Sequence, residues 1–363
     1  MKRYKVIVPK LNVRKAPVAN PADKSNIITT VGQGLILELE EATNVPNPSF
    51  GKWYKDRHNQ FYWGGGLMEA ELGNNNLKTI NSTPNWMLDL RLPEIWKITT
   101  GKNIGVAVVD TGIVLDNPDL PFKDSFYIGK NCNDLKDKVG HGTHCAGLIG
   151  ARNKNGYFVG SAPDCNLSIC KISDLDYLES NKLIEYARAI EWCANNGDVK
   201  IVSISWSSFI DDDDDVKNEI QKAINLAVDN GKIILASRGN YKKSKYDNSK
   251  KYPACFNNVI SVGIIATDHN KWNNYKERKD ILVNGFEIDS YNYLDNNLVK
   301  DSGTSMSNAI MAGICALIIE QKGNHLTYSD FINIIPKISK KINHKNEVNN
   351  QIDGDLLYQF INS

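Results

Sequence analysis

The chain has 363 residues, of which 41% are hydrophobic and 23% are charged, and its formal net charge at pH 7 is +1. A charge this close to zero argues against nucleic acid and anionic membrane surfaces as partners. No apolar run reaches the roughly 18 residues that a membrane-spanning helix needs, and the length suffices for a large domain and a small one.

The N-terminal segment and the cysteines predict a cytoplasmic protein, with secretion as the alternative. The segment contains lysines but has neither a continuous apolar stretch nor a small-residue cleavage site, so we expect no secretory signal. The seven cysteines are scattered and form no CxxC pair. This distribution argues against a zinc knuckle and favours a reducing compartment over a disulfide framework.

Residues 1 to 66 predict a small all-β barrel. Five short runs are rich in β-branched and aromatic residues and are separated by Pro, Asn and Gly. These runs are RYKVIV, IITTV, LILELEE, KWYKD and QFYWG. A polar stretch follows, and residues 67 to 85 are predicted to form a linker.

Residues 86 to 363 predict an α/β domain, because apolar strands alternate with amphipathic helices as in a parallel sheet. The predicted strands are IGVAVVD, VKIVSISW, KIILASRGN and NNVISVGII. The predicted helices are LIEYARAIEWCANNG and VKNEIQKAINLAVDNG. In such sheets the functional residues lie on loops beyond the carboxyl ends of the strands.

Three short motifs in this domain are candidates for catalysis. Asp110 ends a strand in VAVVDTGI, His141 begins a run of small residues in GHGTHCAGLIGA, and Ser305 begins an apolar helix in SGTSMSNAIMAG. An imidazole base can activate a serine hydroxyl, while a buried carboxylate fixes the tautomer of the imidazole. The plain structural alternatives are a helix-capping serine and a turn-forming Asp-Thr-Gly.

Together these motifs, in the order Asp, His, Ser, resemble those of the subtilisin-like serine proteases, peptidase family S8. The resemblance covers residues 86 to 363 and implies a parallel sheet sandwiched by helices. It also implies a serine endopeptidase that cleaves peptide bonds in a peptide or protein substrate through an acyl-enzyme. Asp110, His141 and Ser305 would form the triad; His144, three residues after His141, is interpreted as a buried structural histidine.

The same resemblance assigns residues around the substrate. Asn240, in the run LASRGN, would donate its side-chain N–H to the oxyanion, with the backbone N–H of Ser305 as the second donor. Ser205, Trp206 and Ser207 would pair with the substrate as an added β-strand. Asp247 would lie near the floor of the substrate pocket and favour Lys or Arg there, and a surface ion pair is its alternative interpretation.

Several positions depart from the family pattern. Ser307, Asn308 and Ala309 replace the usual Ala-Thr-Pro after the serine motif, and Arg238 stands where a small residue is common. These changes bear on specificity and rate, because none of them removes a catalytic group. They leave one rival function, a catalytically silent protease fold kept for binding.

The predicted barrel resembles a bacterial SH3-like domain in residues 11–17 (LNVRKAP), 51–55 (GKWYK) and 61–67 (FYWGGGL). This resemblance implies a peptide or cell-wall ligand. A second rival therefore stays open, an extracellular protease tethered to the cell wall through the barrel.

Metal binding is not predicted as a requirement, although calcium is common in the family and is left open. The loop of residues 151–163 is similar to a calcium loop, with Asn153 and Asn155 as candidate oxygen donors. It has no acidic residue before Asp164, and tight calcium sites need carboxylates. The acidic run from Asp211 to Asp215 is interpreted as the start of a helix rather than as a site for basic substrates.

Overall fold

The computed structural model describes the chain from residue 2 to residue 363 with gaps. Outside the description lie residues 7–9, 20–21, 33–35, 44, 47–50, 57–58, 70–82, 129–133, 155–157, 175–183, 209–213, 241–250, 266–279 and 345–346. The chain divides into two compact units, Met1–Leu77 and Lys78–Ser363. Most of the predicted linker falls in residues 70–82, so its boundaries stay a prediction.

The N-terminal unit contains one antiparallel sheet with the strand order β3-β2-β6-β5-β4-β1-β7. Its strands are β1 Lys2–Val6, β2 Lys10–Arg14, β3 Ile27–Gly32, β4 Ile36–Glu41, β5 Trp53–Lys55, β6 Phe61–Trp63 and β7 Leu67–Glu69. The prediction of an all-β unit is thus supported as far as an antiparallel sheet, and its SH3-like identity stays a prediction.

Aromatic side chains fill the core of this small unit. Tyr62 is 3% exposed and packs with buried aliphatic side chains such as Val13, whereas Trp53 is 1% exposed and packs with Val18. A sheet of short strands needs such large side chains, because each buries 150–250 Å² of surface at few positions.

The second unit is built on a nine-stranded sheet with the order β17-β18-β14-β13-β12-β11-β8-β10-β9. All neighbours in it are parallel except β17 and β18, so the sheet is mixed and mostly parallel. Its strands are β8 Gly105–Asp110, β9 Phe122–Tyr127, β10 Asn166–Lys171, β11 Ile201–Ile204, β12 Ile233–Ser237, β13 Val259–Ile265, β14 Ile281–Asn284, β17 Ser339–His344 and β18 Glu347–Ile352.

Helices and one separate hairpin surround this sheet. The hairpin pairs β15, Ile288–Tyr291, with β16, Leu298–Asp301. The helices are α1 Asn85–Asp89, α2 Leu92–Ile95, α3 His141–Gly150, α4 Glu185–Asn195, α5 Asp214–Asp229, α6 Thr304–Lys322, α7 Tyr328–Ile334 and α8 Gly354–Asn362.

The central strands are apolar throughout because helices cover both faces of the sheet. In β8, Val106 and Val108 join the core under α3 and α6, whereas Ala107 and Val109 join the core under α4 and α5. A strand buried on both faces reads as a continuous apolar run, as predicted for this segment. The predicted α/β architecture, a mostly parallel sheet between helices, is confirmed.

Helix α6 is the most deeply buried helix among the described residues. Among its 19 residues, those from Met306 to Ile319 are all buried, and most of them are apolar. Near its C-terminal end, Glu320 accepts hydrogen bonds from the backbone N–H groups of Thr100, Gly101 and Lys102. None of the described helices is long and apolar enough to cross a membrane.

Candidate active site

Three neighbouring strands direct polar residues to one edge of the sheet. Asp110 ends β8, Ser205 follows β11 and Asn240 follows β12 by three residues. The strands lie side by side in the order β12-β11-β8 and run parallel. Their carboxyl ends therefore meet, which is where α/β sheets carry their ligands.

Asp110 is a buried carboxylate held by two donors. Its Oδ1 accepts a hydrogen bond of 2.8 Å from the backbone N–H of Thr111 and lies 2.7 Å from Nδ1 of His141. The residue is 1% exposed, and no donor among the described residues reaches its Oδ2. With Oδ1 as acceptor, Nδ1 of His141 carries the proton and Nε2 is left to act as a base.

Asp137 positions His141 at the start of α3. Its carboxylate accepts hydrogen bonds from the backbone N–H groups of Gly140 and Thr143 and from the hydroxyl of Thr111. The residue is 1% exposed. It therefore ties the loop after β8 to the first turn of α3, and a carboxylate at a helix N-terminus is also favoured by the helix dipole.

The environment of His141 favours the charged imidazole. Burial alone would lower the pKa of His141, but the negative charge of Asp110 and the hydrogen bond between them raise this pKa well above its ordinary value of 6.5. Its side chain keeps 19% exposure, so the ring is reachable from outside the core. An imidazolium that forms here is stabilised by the neighbouring carboxylate.

Ser305 is the second residue of α6, and it contacts the strand end at Ser205 in both directions. Its hydroxyl donates to the backbone carbonyl of Ser205 over 2.7 Å, and the hydroxyl of Ser205 donates to the carbonyl of Ser305 over 3.0 Å. The helix cap falls on Gly303. The hydroxyl of Ser305 thus bonds outside its own helix, unlike the capping serine considered from the sequence.

Cys145 connects the two halves of the site. Its Sγ lies 4.0 Å from Nδ1 of His141, and its thiol is within hydrogen-bonding reach of the Ser205 side chain. Burial raises the pKa of this thiol, so it stays protonated. Ser205 consequently contacts both the residue beside His141 and Ser305 itself.

Asn308 supports this arrangement from within α6. Its buried side-chain Nδ2 donates to the hydroxyls of Ser203, at 3.0 Å, and Ser205, at 3.2 Å. Since Ser205 in turn contacts Ser305, the departure from the family pattern at Asn308 adds a polar support behind the candidate nucleophile. The departure is visible in the sequence, whereas these contacts depend on the folded chain.

Asn240 is oriented by the first residue of α6. Its Oδ1 accepts from the backbone N–H of Thr304 at 2.9 Å and from the Thr304 hydroxyl at 3.1 Å. Two donors on Oδ1 turn Nδ2 to the opposite side of the amide, toward Gly303. A Cβ on Gly303 would lie 2.9 Å from this Nδ2. Any residue other than glycine at this position would therefore displace the carboxamide of Asn240.

Of the four residues predicted to bind substrate, the structure describes three, Ser205, Trp206 and Ser207. Trp206 and Ser207 are half-buried and come after Ser205, the residue that follows β11. Ser208 then forms a bridge to Tyr252, with two backbone hydrogen bonds of 2.9 Å. Asp247 lies outside the described residues, so its proposed role stays a prediction.

His144 is placed as a structural residue. Its side chain is buried, and its Nε2 lies 3.2 Å from the carbonyl of Ile288 and 3.1 Å from that of Val299. Burial lowers its pKa to about 4, so the ring is neutral at physiological pH. It joins α3 to the hairpin of β15 and β16.

The chain from residue 101 to residue 351 matches the family model described as the subtilase family, Peptidase_S8. This match covers more than half of the chain. The chain belongs to the subtilase family. Family membership makes it a subtilisin-type serine protease by descent, with peptides or proteins as its substrate class.

Individual relatives agree with this assignment. The major intracellular serine protease of Bacillus subtilis is 32% identical over 263 residues, which cover 68% of this chain and 77% of that protein. An intracellular serine protease of Paenibacillus polymyxa is 32% identical over 252 residues, covering 66% and 73%. The crystal structure of MycP1 without its N-terminal propeptide has a TM-score of 0.61 at 24% identity, covers 76% of this chain and 96% of that one, and supports the fold.

One cluster in this subtilase has the composition of a metal site. Ligand atoms of Asp110, His141 and Cys145 lie within 4.8 Å of one another, the only such group of three among the described residues. A metal bound to Nδ1 of His141 would displace the hydrogen bond to Asp110, and the buried thiol disfavours the thiolate that a metal needs. The cluster therefore fits a base and its orienting carboxylate better than a metal.

The region resembling a calcium loop is described only in part, because residues 155–157 lie outside the described residues. The nearby carboxylate is Asp119, which is fully buried. It accepts hydrogen bonds from the backbone N–H of Lys154 and from the hydroxyl of Tyr291. Each of its two oxygens thus accepts a hydrogen bond from within the fold. Asn153 is described, whereas Asn155 lies outside the described residues.

Proposed function

We propose that this subtilase is a serine endopeptidase with Ser305 as nucleophile, His141 as general base and Asp110 as the carboxylate that orients it. The observation that carries the proposal is the 2.7 Å distance between Asp110 Oδ1 and His141 Nδ1. This pair lies at the same edge of the sheet as Ser205, whose carbonyl accepts a hydrogen bond from Ser305. That pairing leaves Nε2 as the basic nitrogen, which is the protonation state required for activating a serine.

The first half of the reaction forms an acyl-enzyme. The Ser305 hydroxyl leaves the Ser205 carbonyl by rotating about its Cα–Cβ bond and gives its proton to Nε2 of His141. Its oxygen attacks the peptide carbonyl, whose oxygen becomes an oxyanion. The side-chain N–H of Asn240 and the backbone N–H of Ser305 stabilise this oxyanion, and one such donor is worth about 100- to 1000-fold in kcat.

The second half releases the products. His141 donates its proton to the leaving amine, and the carbon–nitrogen bond breaks. Water then gives a proton to His141 and attacks the acyl group, and collapse of the second tetrahedral intermediate restores the Ser305 hydroxyl. The substrate pairs with Ser205, Trp206 and Ser207 as an added strand, which holds the scissile bond in place.

No metal or organic group takes part in these steps, and we include this independence of cofactors in the proposal. Support comes from the hydrogen-bonded carboxylate of Asp119 and from the complete set of acid, base and nucleophile among the side chains.

The experiment that tests the proposal is hydrolysis of unfolded casein by the full chain, followed by mass spectrometry of the fragments. We expect internal cleavage by the native sequence and a loss on the order of a million-fold in Ser305→Ala. Ser302→Ala is the matched control, because Ser302 is a neighbouring serine that donates to no triad residue; it should keep activity. Equal cleavage by the native chain and Ser305→Ala would reject the mechanism, and no cleavage by either would favour the silent binding scaffold.

We further propose a cytoplasmic location, with secretion as the alternative. The names of both relatives from Bacillus subtilis and Paenibacillus polymyxa describe intracellular proteases. Six cysteines are described and none of these six is in a disulfide. The SH3-like identity of the N-terminal unit, and a peptide or cell-wall ligand for it, stay predictions.

A further inference from the structure

The hairpin of β15 and β16 is fastened to the side of α3. The hydroxyl of Ser290, in β15, donates to the carbonyl of His144 over 2.8 Å. Nε2 of His144 lies 3.2 Å from the carbonyl of Ile288 and 3.1 Å from that of Val299, so one side chain of the helix contacts both strands. The hairpin and the helix that begins with His141 therefore form one packed unit.

The same hairpin leads into the helix that carries the candidate nucleophile. Only three residues, 302 to 304, separate the end of β16 from Ser305. The backbone N–H of Gly303, in this connection, donates to the carbonyl of Gly285, shortly before β15, over 2.9 Å. One continuous element therefore reaches from α3, which begins with His141, to Ser305.

Tyr293 lies in the turn of this hairpin and contacts the residue before His141. A Cβ on Gly140 would lie 2.5 Å from Cδ1 and 3.0 Å from Cε1 of the Tyr293 ring. The edge of the ring therefore fills the space that a side chain at position 140 would need. Gly140 also has a φ of 101°, in the left-handed region, so both its conformation and this contact require a residue without a Cβ.

The backbone of Gly140 determines where the side chain of His141 starts. Gly140 is the N-cap residue of α3. Its N–H donates to Oδ1 of Asp137 over 2.8 Å, and its carbonyl accepts the first backbone hydrogen bond of the helix over 3.0 Å. These bonds hold the two polar groups of Gly140, whereas the ring of Tyr293 packs against its Cα. A displacement of Gly140 would carry His141 away from Asp110, whose Oδ1 lies 2.7 Å from Nδ1 of the imidazole.

The ring of Tyr293, rather than its hydroxyl, makes this contact. The hydroxyl has no hydrogen bond to another described residue. Burial raises the pKa of Tyr293 to about 12, and the negative charge of Asp137 adds to the rise, so the hydroxyl is uncharged at physiological pH. Tyr293 is half-buried although it lies in a turn. Packing of its ring therefore accounts for its place beside Gly140.

We propose that Tyr293 is a positioning residue for the proteolytic reaction: its ring fixes Gly140 and so sets the place of His141 relative to Ser305. This inference rests on the proposed function and adds to it a residue that acts through Gly140. The hairpin makes the effect possible, because it packs on α3 and continues into α6. Proton transfer needs its partners within hydrogen-bonding distance, and a misplacement of about 1 Å caused by a remote change can cost about 100-fold in rate.

The test compares Tyr293→Ala with Tyr293→Phe and Leu294→Ala in the full chain. The readouts are the rate at which Ser305 reacts with a fluorophosphonate, and kcat and KM for a casein peptide that the native chain cleaves. Tyr293→Ala should lower kcat and the reaction rate by about 10- to 100-fold with little change in KM, because the loss lies in proton transfer. Tyr293→Phe keeps the ring and should keep native values. Leu294→Ala removes an exposed apolar side chain from the same turn and is the matched control.

The pKa of His141 separates positioning from a purely structural role. The charge of Asp110 and the hydrogen bond to it raise this pKa well above 6.5, so a loosened His141 should titrate closer to 6.5. NMR titration in a Ser305→Ala background should show this fall for Tyr293→Ala but not for Tyr293→Phe. Tyr293→Leu, which has an apolar side chain without a ring, should change kcat and the pKa in the same direction and serves where Tyr293→Ala does not fold.

The outcomes distinguish this inference from the protease function. A folded Tyr293→Ala or Tyr293→Leu with native kcat and a native pKa of His141 overturns the role of Tyr293, even where the melting temperature falls, and leaves the protease function standing. An equal loss in Tyr293→Phe also overturns it, because the hydroxyl would then be the required group. A native chain that neither reacts with the fluorophosphonate nor cleaves casein overturns the protease function and this inference with it.

Discussion

Asp110 acts on His141 both through geometry and through charge. The hydrogen bond to Nδ1 fixes the tautomer, and the buried negative charge raises the pKa of the imidazole well above 6.5. A base with a raised pKa is protonated, and so inactive, below that pKa. Activity should therefore rise as the pH is raised. The pKa that describes this rise should lie above that of an ordinary histidine.

The Asp110→Asn variant tests this effect directly. Removing the charge should lower the pKa of His141, and kcat should fall by about 10⁴-fold because the amide no longer holds the required tautomer. The pKa can be measured by NMR titration of the imidazole in a Ser305→Ala background, which does not depend on activity. Asp116→Asn changes an exposed carboxylate on the same loop and serves as the control. Equal pKa values in Asp110→Asn and its parent would contradict the assignment.

The sequence predicted residues that lie in short motifs and missed those whose role depends on distant partners. Asp110, His141, Ser305 and Asn240 could be predicted because each motif specifies its own local structure.

Asp137 and Asn308 illustrate the same limit. Asp137 binds Thr111, 26 residues away, and Asn308 binds Ser203, 105 residues away. The one local signal for either residue is the position of Asp137, an acidic residue shortly before a helix. Such positioning residues become visible once the strands and helices are assembled.

At the scale of elements, strongly apolar strands and amphipathic helices were predictable, whereas an edge strand and a hairpin were not. The segments now seen as β8, β11, β12, β13, α4 and α5 had clear patterns. In contrast, β9 contains Lys123, Asp124 and Ser125 and is largely exposed, because it lies at the edge of the sheet. Its composition resembles that of a loop, so its pairing with β10 could not be inferred locally.

The hairpin of β15 and β16 is joined to the loop after β8 by direct side-chain contacts. Tyr291, at the end of β15, is fully buried and donates its hydroxyl to Asp119 on the loop after β8. Its ring packs edge-on against Phe158, 5.9 Å between centroids. These contacts tie three segments together by hydrogen bonding and packing.

Calcium removal is therefore expected to leave the protein unchanged. The melting temperature and peptidase activity of the full chain should be the same in EGTA and in millimolar calcium. Tyr291→Phe should instead destabilise the fold by about 1–3 kcal/mol, because the buried carboxylate of Asp119 loses a donor. Tyr127→Phe, at an exposed tyrosine, is the control. A melting temperature that falls in EGTA and recovers with calcium would contradict this account.

At the scale of the whole molecule, the order of strands was the least predictable property. The sequence predicted a parallel sheet, yet nothing local placed β8 between β11 and β10 or brought β18 beside β14. That order depends on crossovers and on long-range packing under α6. The N-terminal unit shows the same limit, since five of its strands were predicted but β2, β7 and the order of the strands were not.

The strand order is what joins residues that the sequence separates. His141 is 31 residues from Asp110, and Ser305 is 100 residues from Ser205, but the parallel strands and α6 bring these pairs into contact. The central claim is that this assembly converts the hydroxyl of Ser305 into a nucleophile.

The most direct test is the rate and site of fluorophosphonate labelling in the full chain, read by peptide mass spectrometry. The account predicts one labelled residue, Ser305, at a rate that falls by orders of magnitude in His141→Ala although the serine is still present. Circular dichroism spectra should be the same for both chains. Labelling of Ser305 at equal rates in the two chains, or no labelling of the native chain, would contradict the account.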